Sequence, residues 1–93
     1  MSLDGLAALK ERFRMRTLSE RPAIERWAAD GAGRSDAMVL LMHNLAGAAG
    51  TFGFADLSEA AGACDDAFAR NEAPGPERAE RLLAALRALE DQA

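Results

Sequence analysis

Apolar residues recur along this chain at helical spacing. Leu3, Leu6, Leu9 and Phe13 step by three, three and four, the repeat of one helical face, and predict a helix from about Ser2 to about Arg16. Ser19, Glu20 and Pro22 then read as a restart, because a serine hydroxyl caps free N–H groups and proline is tolerated only in a first turn. Ile24, Trp27 and Ala28 continue an apolar face until Gly31-Ala32-Gly33 ends it. The spacing leaves open whether this N-terminal stretch is two helices or one long helix kinked near Pro22. A further helix opens at Arg34 or Ser35 and runs to about Phe52, with Gly53 as its stop. Asp56 with Glu59 three residues on has the form of a capping box, and Leu57, Ala61, Cys64 and Phe68 make one face of a helix reaching about Asn71. Pro74-Gly75-Pro76 breaks the chain, Pro76 suits a first helical position, and Ala79, Leu82, Leu83, Leu86 and Leu89 point the last helix inward.

Short connections make sequential helices antiparallel neighbours. The expected fold is therefore all-α: an up-and-down antiparallel four-helix bundle whose N-terminal helix is split or kinked near Pro22. Composition agrees, being rich in Ala, Leu, Arg and Glu, poor in β-branched residues and without Tyr. At 93 residues the chain is read as one domain, 1–93, with room for one modest core but not for an elaborated catalytic cleft. That favours a module over a self-contained enzyme. The Met1 start and the polar Asp91-Gln92-Ala93 end suggest a free-standing chain. The single Cys64 has no intramolecular disulfide partner and no secretory leader is recognisable, so a reducing cytoplasm is the expected location.

A net charge of −4 argues against nucleic acid, whose phosphates are bound through clustered Lys and Arg. The charge is uneven. Residues 10–26 hold Lys10, Arg12, Arg14, Arg16, Arg21 and Arg26 against Glu11, Glu20 and Glu25, whereas residues 54–93 hold nine acids against four arginines. We read these as solvated helix faces in preference to a basic docking patch.

From Ala37 to Ala55 there is no charged residue, long enough to raise a membrane span. His43, Asn44, Thr51 and three glycines interrupt the run, and the flanking amphipathic helices need a central partner, so a bundle helix suits it better and no membrane is expected. On a wheel of about 100° per residue, Met38, Leu41, Leu45, Ala48 and Phe52 fall within about 80° of one another as an apolar seam. His43 lies opposite the centre of that seam, on a face with Asp36, Val39, Leu40, Ala46, Gly47 and Gly50. An exposed His among apolar and small residues, where charges would be expected, reads as a contact surface with one nucleophile in it. A neutral imidazole offers an unprotonated ring nitrogen, and phosphoryl transfer asks little more of a carrier than in-line positioning, since a partner's metal ion can neutralise charge. Gly47 and Gly50 either admit a partner's backbone or serve tight helix packing.

The run His43-Asn44-Leu45-Ala46-Gly47-Ala48-Ala49-Gly50-Thr51-Phe52-Gly53-Phe54, followed by Leu57-Ser58 and then Ala61, Cys64 and Asp65, resembles the histidine phosphotransfer (HPt) domain family. The match is specific through residues 43 to 68 and loose elsewhere. The resemblance implies a four-helix bundle with His43 as the phospho-acceptor on the second long helix, and Val39, Leu40, Ala46, Gly47 and Gly50 as the docking face around it. It implies response-regulator receiver domains and a hybrid histidine kinase as partners, with Mg2+ on the receiver and no cofactor or metal of the chain's own. The family commonly has Lys where this chain has Ala46, so either another cation reaches the site, the partner supplies all the charge, or transfer is weaker. Asp65 stands where the family tends to have Glu.

The leading expectation is a cytoplasmic, monomeric phosphocarrier that relays a phosphoryl group between receiver aspartates through His43. An adaptor that docks receivers without carrying phosphate is the alternative that Ala46 keeps alive. A structural bundle that oligomerises through Val39 and Leu40 is a third reading. With one His, one Cys and no ligand cluster at metal spacing, an autonomous phosphatase or metallohydrolase has least support.

Overall fold

The computed structural model describes residues 3–92, with side chains from residue 5 onward, and every regular element in that range is an α-helix. The elements are α1 (Leu3–Ser19), α2 (Arg21–Ala29), α3 (Asp36–Thr51), α4 (Ala55–Ala69) and α5 (Gly75–Glu90). The single residue Glu20 separates α1 from α2, so the two are one bent N-terminal helix and the molecule is a four-helix bundle. The bend sits where Pro22 enters the first turn of α2, a position at which a missing N–H leaves nothing unsatisfied. Ser19 does not cap α2 as the sequence suggested; its hydroxyl donates back to the Arg16 carbonyl and closes α1 instead. α1 therefore runs about a turn beyond the expected Arg16, and its expected start at Ser2 lies outside the described residues.

Three of the helices stop by one device. After Ala29, Thr51 and Ala69 the chain enters the left-handed region at Gly31 (φ 104°), Gly53 (φ 82°) and Asn71 (φ 60°). Paired backbone bonds follow: Ala32 N–H to Trp27 O with Gly31 N–H to Ala28 O, Phe54 to Ala49 with Gly53 to Gly50, and Glu72 to Ala67 with Asn71 to Phe68. These satisfy the carbonyls each helix end would otherwise strand, and they turn the chain back on itself. At the other end, α3 starts on Ser35, whose hydroxyl accepts from Met38 N–H at a long 3.5 Å. The Asp56/Glu59 capping box does not form. Buried Phe54 is the N-cap residue of α4, the helix is already under way at Asp56, and Glu59 pairs with Arg81 of α5 at 3.3 Å.

α3 packs most closely on α4, α4 on α5, and α5 on α2 and the end of α1. Ile24, Met42, Cys64, Leu82, Leu86 and Leu89 are fully enclosed between them. The core face of α3 is Met38, Met42, Leu45 and Ala49, rotated by about 50° from the expected seam at 100° per residue. Leu41, Ala48 and Phe52, assigned to that seam, are only half-buried. The cause is the neighbour: α4 packs closely on α3, with the Ser58 hydroxyl on the Ala46 carbonyl beside Gly50, whereas α1 covers the opposite flank thinly. Leu6 and Leu9, also expected inward, are 47% and 37% exposed. α1 meets the rest of the bundle through Lys10, whose Nζ lies over the Phe54 ring 4.9 Å from its centroid, and through Phe13, whose ring stacks on Phe52 and Phe54 at 5.3 and 5.7 Å. Buried Arg14 adds the polar anchor: its Nε and Nη2 donate to the Leu89 and Glu90 carbonyls at 2.9 and 2.7 Å, capping the last turn of α5.

Cys64 shares its buried stripe with Leu57, Ala61 and Phe68, and burial pushes its thiol up to about 11. At pH 8 it should therefore be both shielded and protonated. A thiol reagent is expected to modify it only as fast as the protein unfolds; labelling of the native protein at the rate of a free thiol would contradict this packing.

Candidate functional site

His43 projects from the middle of α3 with 71% of its side chain exposed, and what fixes its surroundings is the register of α3 against α4. The Ser58 hydroxyl of α4 donates to the Ala46 carbonyl at 2.8 Å. A Cβ on Gly50 would stand 3.2 Å from that same hydroxyl oxygen and press on it, so glycine at 50 leaves the Ser58 hydroxyl room to reach the carbonyl. Seven residues beyond Ser58, two turns along the same face, Asp65 arrives beside the imidazole. Its Oδ2 is 3.2 Å from His43 Nδ1.

This contact orders the ring chemically. A carboxylate can only accept, so in the neutral imidazole Nδ1 carries the proton and the lone pair is on Nε2. That lone pair is on the side of the ring away from Asp65.

The residues expected around His43 separate into two groups. Leu40, 63% exposed, and Gly47, where a Cβ would meet nothing within 4 Å, stand one turn to either side of His43 on the open face. Val39 and Ala46 are half-buried against the core, and Gly50, although exposed, is committed to the contact with Ser58. His43 thus sits on the shoulder of the open face nearer α4, not diametrically opposite the core as the rotated seam had implied. Neither α3 nor α4 contains a Lys or Arg, whereas together they carry Asp36, Asp56, Glu59, Asp65 and Asp66. The position of Ala46 is therefore not served by a cation from either helix. No group of three His, Cys, Asp or Glu side chains among the described residues could hold a metal ion.

A family model described as Hpt domain matches residues 7–92. The chain belongs to the Hpt domain family. No curated protein and no solved structure matched it. As an Hpt domain it has a phosphotransfer role in two-component signalling, the setting in which Hpt domains work with receiver domains and histidine kinases. None of its described helices is long and apolar enough to cross a membrane.

What two residues of α4 do beside His43 is not given by the sequence. Asp65 is among the residues that carry the family resemblance and shares one face of α4 with Ser58 and Gly62 at i, i+4 and i+7, but nothing in that pattern says that it reaches the His43 ring. Ser58 gave no signal by itself, because a serine in a helix is as often solvated as bonded to a neighbouring helix.

Proposed function

We propose that this Hpt domain is an active phosphocarrier, a cytoplasmic monomer that relays a phosphoryl group between receiver aspartates through Nε2 of His43. The observation that carries the reading is the exposed imidazole whose Nδ1 is held by Asp65. In the forward step the Nε2 lone pair attacks the phosphorus of a receiver's aspartyl phosphate in line. A P–N bond forms, the P–O bond to the aspartate breaks, and the aspartate leaves as its carboxylate. The ring becomes a phosphoimidazolium whose Nδ1–H remains against Asp65, and that carboxylate offsets the new positive charge. The next receiver's aspartate reverses the sequence and takes the phosphoryl group. Mg2+ on the receiver supplies the charge neutralisation that α3 and α4 do not, and the bare backbone at Gly47 gives that partner room to approach.

Replacing Asp65 by Asn keeps the shape of the contact but removes its charge. Transfer should slow about tenfold, equivalent to about 1.4 kcal/mol at the transition state, with little change in receiver binding. A variant that transfers at the native rate would place Asp65 outside the chemistry.

The cation-free face favours one other reading, that of an adaptor which binds receivers without accepting phosphate. Incubation with a phosphorylated receiver separates the two. A carrier acquires label with the acid lability and alkali stability of a phosphorus–nitrogen bond, whereas an adaptor binds and stays unlabelled.

A further inference from the structure

Among the described residues two hydrogen bonds join α3 directly to α4, and they differ in kind. The contact of Asp65 with His43 lies in the open, on an imidazole that is 71% exposed, and a charged contact in that setting is worth little by itself. It is not what holds the helices in register. The other runs from the half-buried Ser58 hydroxyl to the Ala46 carbonyl at 2.8 Å, a short and directional bond. The apolar contacts around it are less selective. Burial attracts without direction, and Met38 and Met42, on the core face of α3, are unbranched and flexible enough to repack after a small slip. A bond to one particular carbonyl has no such freedom.

The site tolerates little slip. Asp65 follows Ser58 by seven residues, about 10 Å along the same helix, so a shift of α4 at one is a shift at the other. Aspartate carries its carboxylate on a single methylene, and it meets Nδ1 at 3.2 Å. Sliding α4 past α3 by the rise of one residue, about 1.5 Å, stretches a contact lying square to the slip beyond the roughly 3.5 Å at which a hydrogen bond ends. Asp65 is also the one hydrogen-bond partner of the ring among the described residues. Without it the imidazole takes the tautomer that free histidine favours, protonated at Nε2, and the lone pair there is gone.

We infer that Ser58 is a positioning residue of the phosphotransfer site: by tying α4 to the Ala46 carbonyl, its hydroxyl delivers Asp65 to Nδ1 and so keeps the Nε2 lone pair available. Its part in transfer rests on the reading that Nε2 of His43 carries the phosphoryl group. No hydrogen bond joins Ser58 to the ring, and it acts only through Asp65.

The test compares the native chain with Ser58→Ala, the conservative Ser58→Thr, Asp65→Asn and the Ser58→Ala/Asp65→Asn double variant, each first shown to melt like a folded protein. His43 is the only histidine in the chain, so nitrogen NMR in alkaline buffer, where an imidazole is neutral, reads directly which ring nitrogen holds the proton. Transfer of label is followed alongside, from a phosphorylated receiver at saturating concentration. Native protein should hold the proton on Nδ1. Ser58→Ala should move it toward Nε2 and slow transfer several-fold, by no more than Asp65→Asn does, and Ser58→Thr should restore both. The double variant should transfer as Asp65→Asn does alone, because a residue that works through Asp65 has nothing left to act on. Ser58→Cys, whose thiol is a weak donor, carries the test if the alanine variant is unstable. An unmoved proton in Ser58→Ala, or losses that add in the double variant, would overturn the inference and leave Ser58 a merely structural residue, while label on His43 would keep the carrier reading standing. A native chain that is never labelled would instead remove the carrier reading, and the position of the ring proton would then decide by itself whether Ser58 sets the form of His43.

Discussion

Leu45→Ala lowers the free energy of unfolding by about 2–5 kcal/mol, the range for truncating a buried leucine where the surroundings relax only in part. Leu45 is 4% exposed at the centre of α3, on the face shared with Met38, Met42 and Ala49. α3 makes the closest helix pairing in the molecule, with α4, so a void there removes contacts from both helices. For a chain of this length that is a large part of a total stability of about 5–10 kcal/mol, and the variant should be close to unfolding at 37 °C. Leu40, three residues before His43 on the open face and 63% exposed, is the control. Leu40→Ala should change stability by within about 0.5 kcal/mol. Urea titrations of the two variants check the orientation of α3 directly: a larger loss for Leu40→Ala than for Leu45→Ala would mean that the helix is turned and His43 is not on the open side.

The helices themselves were legible because leucine, alanine and phenylalanine repeat at 3.6-residue spacing and because glycine and proline punctuate the ends. Gly31 and Gly53 stop helices through the left-handed conformation that favours glycine, and Pro22 sits in a first turn. The rotation of α3 was harder to read. Its only charged residue is Asp36, so no polar stripe marks an outer face, and Met42 and Ala49 are as apolar as Leu41 and Ala48. What decided between the two stripes was the close packing of α4 on one side of α3, a property of the neighbour that no single-helix pattern contains. Leu6 and Leu9 misled for the opposite reason. Their spacing is that of a buried face, yet little of the bundle lies beside that part of α1 to bury it.

At the site, His43 stood out as the one titratable side chain in a charge-free run, and its neighbours Leu40 and Gly47 were legible from helical spacing alone. The partner of its Nδ1 was not, because Asp65 is twenty-two residues away and meets the ring only through the α3–α4 register that Gly50 and Ser58 set. The buried role of Arg14 was hidden in the same way. Within a run of six basic residues nothing distinguishes the one that reaches the α5 carbonyls from those left on the surface.

Replacing His43 by Gln should abolish phosphoryl transfer and leave the fold as it is. The exposed imidazole touches little of the core, and a glutamine amide can still donate to Asp65, so stability should shift by within about 0.5 kcal/mol. Amide nitrogen has no lone pair free for attack on phosphorus, so chemistry and stability separate at this position. The most direct measurement incubates native and His43→Gln proteins with the same phosphorylated receiver and follows acid-labile label on the Hpt chain, with receiver binding measured alongside. Label on the native protein alone, with both chains binding the receiver equally, is the predicted result. Label that persists in the His43→Gln variant, or a native protein that binds receivers and is never labelled, would contradict the account.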